Sequence, residues 1–195
     1  MDYFIAGLLI VMVLIFFLFL KIVSSLTKAF MYFMLLMLIV LVFFGFFFGK
    51  DFVSFFRSME SEDKLFILKD NRTFITAFEM KKVNETSSVP KTRLDVYQDA
   101  YIDKEYDKIL DGRYKVFFFE LSGLEKENST ISSAIRGKNG IIEIAGEDVK
   151  NAAFILLVTK KEKEDPLYLI KGYQQGYIEI YPESLLFRVL RTGRK

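Results

Sequence analysis

Two apolar runs dominate the first 49 residues of the chain. Tyr3–Leu20 and Ala29–Gly49 contain no charged side chain, and the linker Lys21–Lys28 separates them. At about 1.5 Å per residue, helices over these runs measure roughly 27 and 31 Å, close to a hydrocarbon core of about 30 Å. The pattern predicts two transmembrane helices, over about residues 3–22 and 29–49. Because the linker is short, we expect them to form an antiparallel hairpin.

The first run has a signal peptide as its alternative interpretation. Such a peptide has a basic start, a shorter apolar core and a cleavage site of small residues. This chain starts Met1-Asp2-Tyr3, and Ser24-Ser25 makes a poor cleavage site. We therefore favour a retained helix. Buried helices of a soluble core are the other alternative, but two adjacent apolar runs of this length are typical of membrane segments.

Polar side chains inside the bilayer usually mark transport pathways. Neither run contains an internal Asp, Glu, Lys, Arg, Asn or Gln. The pair is therefore expected to anchor the protein, and a channel or transporter component is the less favoured interpretation.

The charges beside the runs bear on orientation. Lys21 and Lys28 lie in the linker, whereas Asp2 precedes the first run. Positive charge favours the cytoplasmic side, which predicts a cytoplasmic linker and an extracytoplasmic domain. Lys50, Arg57 and Lys64 flank the second run on the domain side and argue for the opposite orientation. The expected localisation is an integral, multi-pass membrane protein with two helices.

Residues 50–63 form a juxtamembrane helix or linker in this interpretation. Apolar residues recur there at helical spacing, namely Phe52, Phe55, Phe56 and Met59. This spacing is typical of a helix that leaves the bilayer or lies along its surface, and equally of a simple continuation of the second helix.

The pattern changes to short strand signals over residues 64–195, which are enough for one soluble α+β domain. Predicted strands cover residues 64–69, 73–80, 114–121, 140–145, 152–159, 167–171 and 177–181. Residues 64–80 and 167–181 each suggest a hairpin, 82–91 a loop, and 98–111 and 182–190 helices. The segment 152–159 could instead end a helix begun at Glu147, but its β-branched and aromatic content favours a strand. We expect a mostly antiparallel sheet of six or seven strands.

Composition narrows the chemistry. The chain has no His and no Cys, which excludes disulfides, thiolate or imidazole metal sites, and catalytic triads that need either residue. Its 27 basic and 25 acidic residues give a net charge of +2, so nucleic acid has no general electrostatic attraction. We assign no catalytic, cofactor-binding or metal-binding residue from the sequence.

An aspartate recurs at every fourth position in one segment: Asp95, Asp99, Asp103, Asp107 and Asp111. On a single helix these would form an acidic stripe. A calcium loop needs oxygens at alternate positions and a central glycine, so we interpret the stripe as a solvated face, with divalent-ion or basic-partner binding as the alternative.

Two further clusters could support hydrolysis. Paired carboxylates can act as general acid and base, and the acids near one predicted strand are Glu143, Glu147 and Asp148. A serine with a lysine is the nucleophile–base pair open to a chain without His and Cys. The candidates, which include a Gly-rich basic loop, are Ser129, Ser132, Ser133, Arg136, Gly137, Lys138 and Gly140. Surface acids and a polar loop are the simpler interpretations.

The C-terminal tail is basic, with Arg188, Arg191, Arg194 and Lys195. Together with Lys50 and Arg57 it could contact anionic lipid, although a solvated terminus is favoured. Glycosylation acceptor patterns begin at Asn71, Asn84 and Asn128, and matter only for a domain outside a glycosylating cell.

The sequence therefore favours a two-pass membrane-anchored protein that acts as a non-enzymatic binding or scaffold subunit of a membrane or envelope complex. Expected partners are the lipid bilayer and another protein or a second copy, with edge strands and Tyr-rich segments as contact surfaces. A membrane-tethered hydrolase that uses Ser and Lys or paired carboxylates is the alternative.

Overall fold

The computed structural model describes residues 2–22, 26–81, 85–127 and 146–193. Its contacts divide the chain into two units, Met1–Lys50 and Asp51–Lys195. The helices are α1 (Asp2–Ile22), α2 (Leu26–Ser61), α3 (Lys91–Ile102), α4 (Tyr106–Leu110), α5 (Leu121–Glu127), α6 (Glu147–Glu164), α7 (Tyr168–Gln175) and α8 (Leu185–Thr192). The strands are β1 (Lys64–Asp70), β2 (Thr73–Met80), β3 (Thr86–Ser88), β4 (Lys115–Glu120) and β5 (Ile178–Tyr181).

The first unit contains α1 and most of α2. One described helix, over Phe30–Ser61, is long and apolar enough to cross a membrane. Its most apolar stretch of 18 residues has a mean hydropathy of 2.7, and none of that stretch is buried. This criterion rests on length and composition, and a signal sequence near the N-terminus meets it too. Leu8–Leu18 of α1 form a shorter apolar stretch. The two-helix transmembrane hairpin expected from the sequence is therefore not confirmed.

The second unit is a mixed α+β fold with a five-stranded mixed sheet of order β3-β2-β1-β4-β5. The central strands β1 and β4 are parallel, whereas the other three pairings are antiparallel. The predicted hairpin of β1 and β2 is confirmed. The strand predicted over residues 114–121 is also confirmed, as β4. Central strands of this kind are buried on both faces, which explains why β1 and β4 read as nearly continuous apolar runs.

One face of the sheet packs against α3 and α4. Its core contains Leu65 and Ile67 of β1, Val116 and Phe118 of β4, and Tyr97 of α3. Aromatic contacts on this face extend to the edge strand β5, where the ring of Tyr181 stacks on that of Tyr106 with 5.1 Å between the ring centroids.

The opposite face is built from phenylalanine rings. Phe66 stacks on Phe78 and Phe117 at centroid distances of 4.8 and 5.0 Å. Phe154 of α6 meets Phe78 and Phe119 edge to face. Helix α6 therefore closes this face of the sheet with an aromatic contact to both β2 and β4.

The end of α2 belongs to the second unit. The helix ends at Ser61. Phe55 meets Phe187 of α8 edge to face at 5.1 Å, and the carboxylate of Asp51 accepts the backbone N–H of Leu186 at 2.7 Å. Asp51 thus satisfies one of the free N–H groups that every helix start leaves unpaired.

Three predicted segments are wrong. Residues 152–159 lie in helix α6, because Phe154, Leu157 and Val158 bury one side at helical spacing and this packing outweighs β-propensity. Residues 167–171 belong mainly to α7, so the second hairpin does not form and β5 pairs with β4 instead. The predicted loop at 82–91 contains β3.

Two helix predictions also need correction. The segment 98–111 is not one helix: α3 starts earlier, at Lys91, and ends before Lys104, whose φ of 61° is incompatible with a continuing helix. The C-terminal helix starts at Leu185, not in the turn of Pro182. The described residues form five strands, compared with the six or seven expected, and the predicted strand at 140–145 lies outside them.

Candidate functional site

A groove of about 730 Å³ lies at the end of the β1–β2 hairpin. Its lining comes from the hairpin turn and the start of β2, from residues 88–91 and α3, and from the first turns of α6. The volume falls within the range of roughly 300–1,000 Å³ that is usual for ligand sites. Its charged side chains are of both signs: Asp70, Arg72, Lys91, Asp95, Asp148 and Lys150.

The turn at the base of the groove is held by a buried ion pair. Lys69 Nζ donates to Glu120 Oε2 at 2.8 Å and to the carbonyl oxygen of Asn71 at 3.3 Å. The other oxygen of Glu120 accepts the backbone N–H of Asn71 at 2.7 Å. Asn71 can occupy the turn because it tolerates its positive φ of 55°. A lysine and a glutamate at the ends of two central strands thus fix the groove's turn.

Two more groups complete this network, which we call the Lys69 cluster: Lys69, Glu120, Glu179 and Tyr101. Glu179 Oε1 lies 3.3 Å from Lys69 Nζ, and its Oε2 accepts the Tyr101 hydroxyl at 3.1 Å. Burial lowers the pKa of Lys69, but the hydrogen bond to Glu120 and the charge of Glu179 outweigh it, so its pKa is raised above the ordinary value. Lys69 therefore stays charged, and is suited to hold carboxylates, not to act as a base or a nucleophile.

Two buried lysines begin the same central strands, at the opposite end of the sheet. Lys64 and Lys115 lie side by side in the parallel register and are 1% and 2% exposed. Lys115 Nζ donates to the carbonyl oxygen of Pro182, and burial lowers its pKa to about 8. Burial also raises the pKa of Glu162 on α6 to about 7, against the opposing charge of Lys64. The side chains of both lysines are buried. The negative charges of Asp51 and Glu183 oppose the lowering of the Lys115 pKa by burial.

The structure separates the five aspartates of the predicted stripe. Asp95 and Asp99 lie on α3, Asp103 follows it, Asp107 lies on α4 and Asp111 ends α4. All five are exposed. Individual members have separate partners: Asp107 accepts the Tyr181 hydroxyl, Asp111 pairs with Arg93, and Asp95 lines the groove. They do not form one acidic face, because the chain turns at Lys104.

The hydrolase candidates are only partly described. Ser129, Ser132, Ser133, Arg136, Gly137, Lys138, Gly140 and Glu143 lie outside the described residues, as do Asn84, Asn128, Arg194 and Lys195. Glu147 begins α6, and Asp148 is exposed in the groove. Arg188 and Arg191 lie on α8, which contacts the end of α2 through Phe187 and Phe55. Arg57 lies on this part of α2, whereas Lys50 belongs to the first unit.

Sequence reasoning missed the Lys69 cluster, the buried lysines and the groove. A partial signal was present, because Lys64 and Lys69 bracket one apolar strand and Lys115 and Glu120 bracket another. Without the parallel pairing of β1 and β4, which joins residues 51 positions apart, nothing indicates that these ends meet.

The chain matches no protein-family model, no curated protein and no solved structure.

We predict that Lys69→Met destabilises the second unit by about 2–3 kcal/mol, because it leaves two carboxylates without their cation. Glu120 and Glu179 are 22% and 47% exposed, so the loss is below that of a fully buried pair. Lys171→Met is the matched control, since it breaks the exposed pair with Asp165 and should cost less than about 1 kcal/mol. Urea unfolding of the full chain in detergent measures both. Equal losses would contradict the structural role of the cluster.

We also predict a stability minimum between pH 7 and 8. Burial raises the pKa of the Glu162 carboxyl to about 7 in the folded state, against an ordinary value of 4.5, so the folded state binds the extra proton and stability falls as pH rises between these values. Lys115 titrates at about 8 against 10.5, so the unfolded state binds the extra proton and stability rises from pH 8 to 10.5.

Variants assign the two limbs of this profile. Glu162→Gln should flatten the limb below pH 7, and Lys115→Met the limb above pH 8, in urea unfolding measured across this range. A profile whose slopes do not respond to either substitution would show that these groups do not control it.

Proposed function

We propose that this protein is a two-pass membrane-anchored, non-enzymatic binding subunit of a membrane or envelope complex, and that the groove is its contact site. The observation that carries the proposal is an exposed apolar helix continuous in sequence with a domain that has a pre-formed groove. The first element favours anchoring, and the second favours recognition.

The two-pass topology draws support from the first unit. The rings of Phe16 on α1 and Phe33 on α2 lie 5.5 Å apart, edge to face. These residues are nearly equidistant from the connection at residues 23–25, which is the relation expected for antiparallel neighbours. Lys21 and Lys28 beside that connection favour its cytoplasmic location and hence an extracytoplasmic domain.

The non-enzymatic assignment draws support from the pairing of two partly exposed acids in the described residues. Glu120 and Glu179 share Lys69 and therefore resemble a structural ion pair, not an acid and base facing a substrate. The groove's walls are also fixed: Gln98 Oε1 of α3 accepts the backbone N–H of Phe74 at 2.7 Å, and Glu120 holds the turn. A pre-organised groove lowers the entropic cost of binding.

Single cysteines test the topology, since the chain has no native cysteine to remove. We expect Asp2→Cys and Lys163→Cys to react with a membrane-impermeant maleimide in intact cells, and Ser24→Cys to react only after permeabilisation. Labelling of residues 2 and 163 from opposite sides would refute the hairpin. Labelling of residue 24 alone in intact cells would reverse the orientation.

A photoreactive amino acid tests the contact site. Introduced in place of Asp148, in the groove, it should give a discrete cross-linked adduct in native membranes. Lys160 on the same helix is the matched control position, because it is exposed and lies about 18 Å further along α6, at 1.5 Å per residue. Absence of an adduct at residue 148, or the same adducts at both positions, would count against a binding role for the groove.

A further inference from the structure

The sheet is incomplete along the outer side of β2. Strand β2 has eight residues, but β3 has three and pairs only with Phe78–Met80. One further bond, from Val89 N–H to the carbonyl oxygen of Ala77, ends the pairing. In the described part of the chain, Thr73–Thr76 therefore have β1 on one side and no strand on the other.

The groove occupies this vacant strand position. Its lining includes the four consecutive residues Thr73–Thr76, and Ser88–Lys91 close it where β3 ends. Four residues of extended chain measure about 13 Å, so the space beside β2 has the length of a short strand. The groove is thus a gap in the sheet, in line with β3.

Polar groups at the gap suit a peptide backbone. The backbone N–H of Phe74 points away from β1 and donates to the side chain of Gln98, so an added strand replaces that amide oxygen with one of its own carbonyl groups. Asn151 lines the groove from α6 and is 6% exposed, and its Oδ1 has no hydrogen-bond donor among the described residues. A buried acceptor without a donor is costly, and a peptide N–H is the donor that a bound strand supplies.

The charges of the groove indicate what side chains the ligand carries. Two exposed acids line the groove, Asp95 near the start of α3 and Asp148 near the start of α6. Two basic residues line it as well, the exposed Arg72 of the hairpin turn and the largely buried Lys150. This mixture favours a segment with side chains of both signs over an apolar one.

We propose that an extended peptide segment of a partner protein, bearing both acidic and basic side chains, binds in this groove as an added strand beside Thr73–Thr76. This inference rests on the proposed binding function and specifies its ligand. Main-chain hydrogen bonds provide the affinity in such strand addition, and alternate side chains provide the specificity.

The test uses the full chain in detergent micelles and an array of synthetic 12-residue peptides of mixed charge. We expect a subset of peptides to bind and to slow hydrogen exchange at Thr73–Thr76. N-methylation of the bound peptide should abolish binding at alternate residues only, because a strand directs every second N–H toward its neighbour. Binding that tolerates every N-methyl group, or no binding by any peptide, would overturn the proposal.

Asn151→Leu separates recognition from folding. It should weaken peptide binding about tenfold, by the loss of one hydrogen bond, while the stability of the free protein stays equal or rises because an unpaired buried acceptor is removed. Lys160→Leu on the same helix is the control and should leave binding unchanged. Equal binding by the Asn151→Leu variant would exclude this residue from the site.

The outcomes also distinguish this inference from the proposed function. A discrete adduct at residue 148 without strand-mode peptide binding would retain the binding subunit and reject the peptide strand. If array peptides bind only after Ile142→Asp and Ile144→Asp substitutions in the chain itself, then the chain's own residues 140–145 occupy the groove and the partner-peptide proposal is wrong.

Discussion

The parallel pairing of β1 and β4 is the constraint on which the second unit depends. It places two apolar strands at the centre of the sheet, and it brings together the charged residues that begin and end them. At one end Lys69 and Glu120 meet and hold the hairpin turn; at the other, Lys64 and Lys115 are buried side by side. Lys69 contacts two carboxylates directly, whereas Lys115 donates to a neutral backbone carbonyl, so the two ends behave differently. Lys69 keeps its charge among carboxylates, whereas burial lowers the pKa of both Lys64 and Lys115.

The elements predicted correctly are those whose pattern is local. The β1–β2 hairpin follows from two apolar strands around Asp70-Asn71-Arg72, and β4 from a run of phenylalanines. The failures share one cause: residues 152–159 and 167–171 have strand-like composition but form helices, since their apolar side chains fill space against the sheet face. Composition within a short segment does not contain that information, because the sheet face is built by residues far away in sequence.

The candidate site could not be predicted for a related reason. Its lining is drawn from a turn, from the end of β3 and from the starts of α3 and α6, which are distant in the chain. The acidic repeat that seemed the clearest local pattern is divided by the turn at Lys104, and only Asp95 of its five members lines the groove. Asp51 is a second residue whose role depends on a distant part of the chain, because it caps a helix 135 positions away. Regular spacing indicated a shared face only as long as the backbone stayed helical.

The difference in length between β2 and β3 connects this fold to its proposed role. Proteins usually protect a sheet edge by shortening, charging or covering its strand, since an open edge pairs with other chains. In the described part of this chain β3 covers only part of β2, and charged side chains of both signs border the part left open. Such a border limits indiscriminate strand pairing, because an apolar strand would bury those charges without partners. It also allows a strand whose side chains complement them. Because Glu120 and Lys69 hold the turn through direct hydrogen bonds, the adjoining edge needs little ordering on binding. In the proposed strand addition, the bordering charges would provide selectivity for the partner segment, whereas the contacts of Lys69 and Glu120 would keep the edge in place.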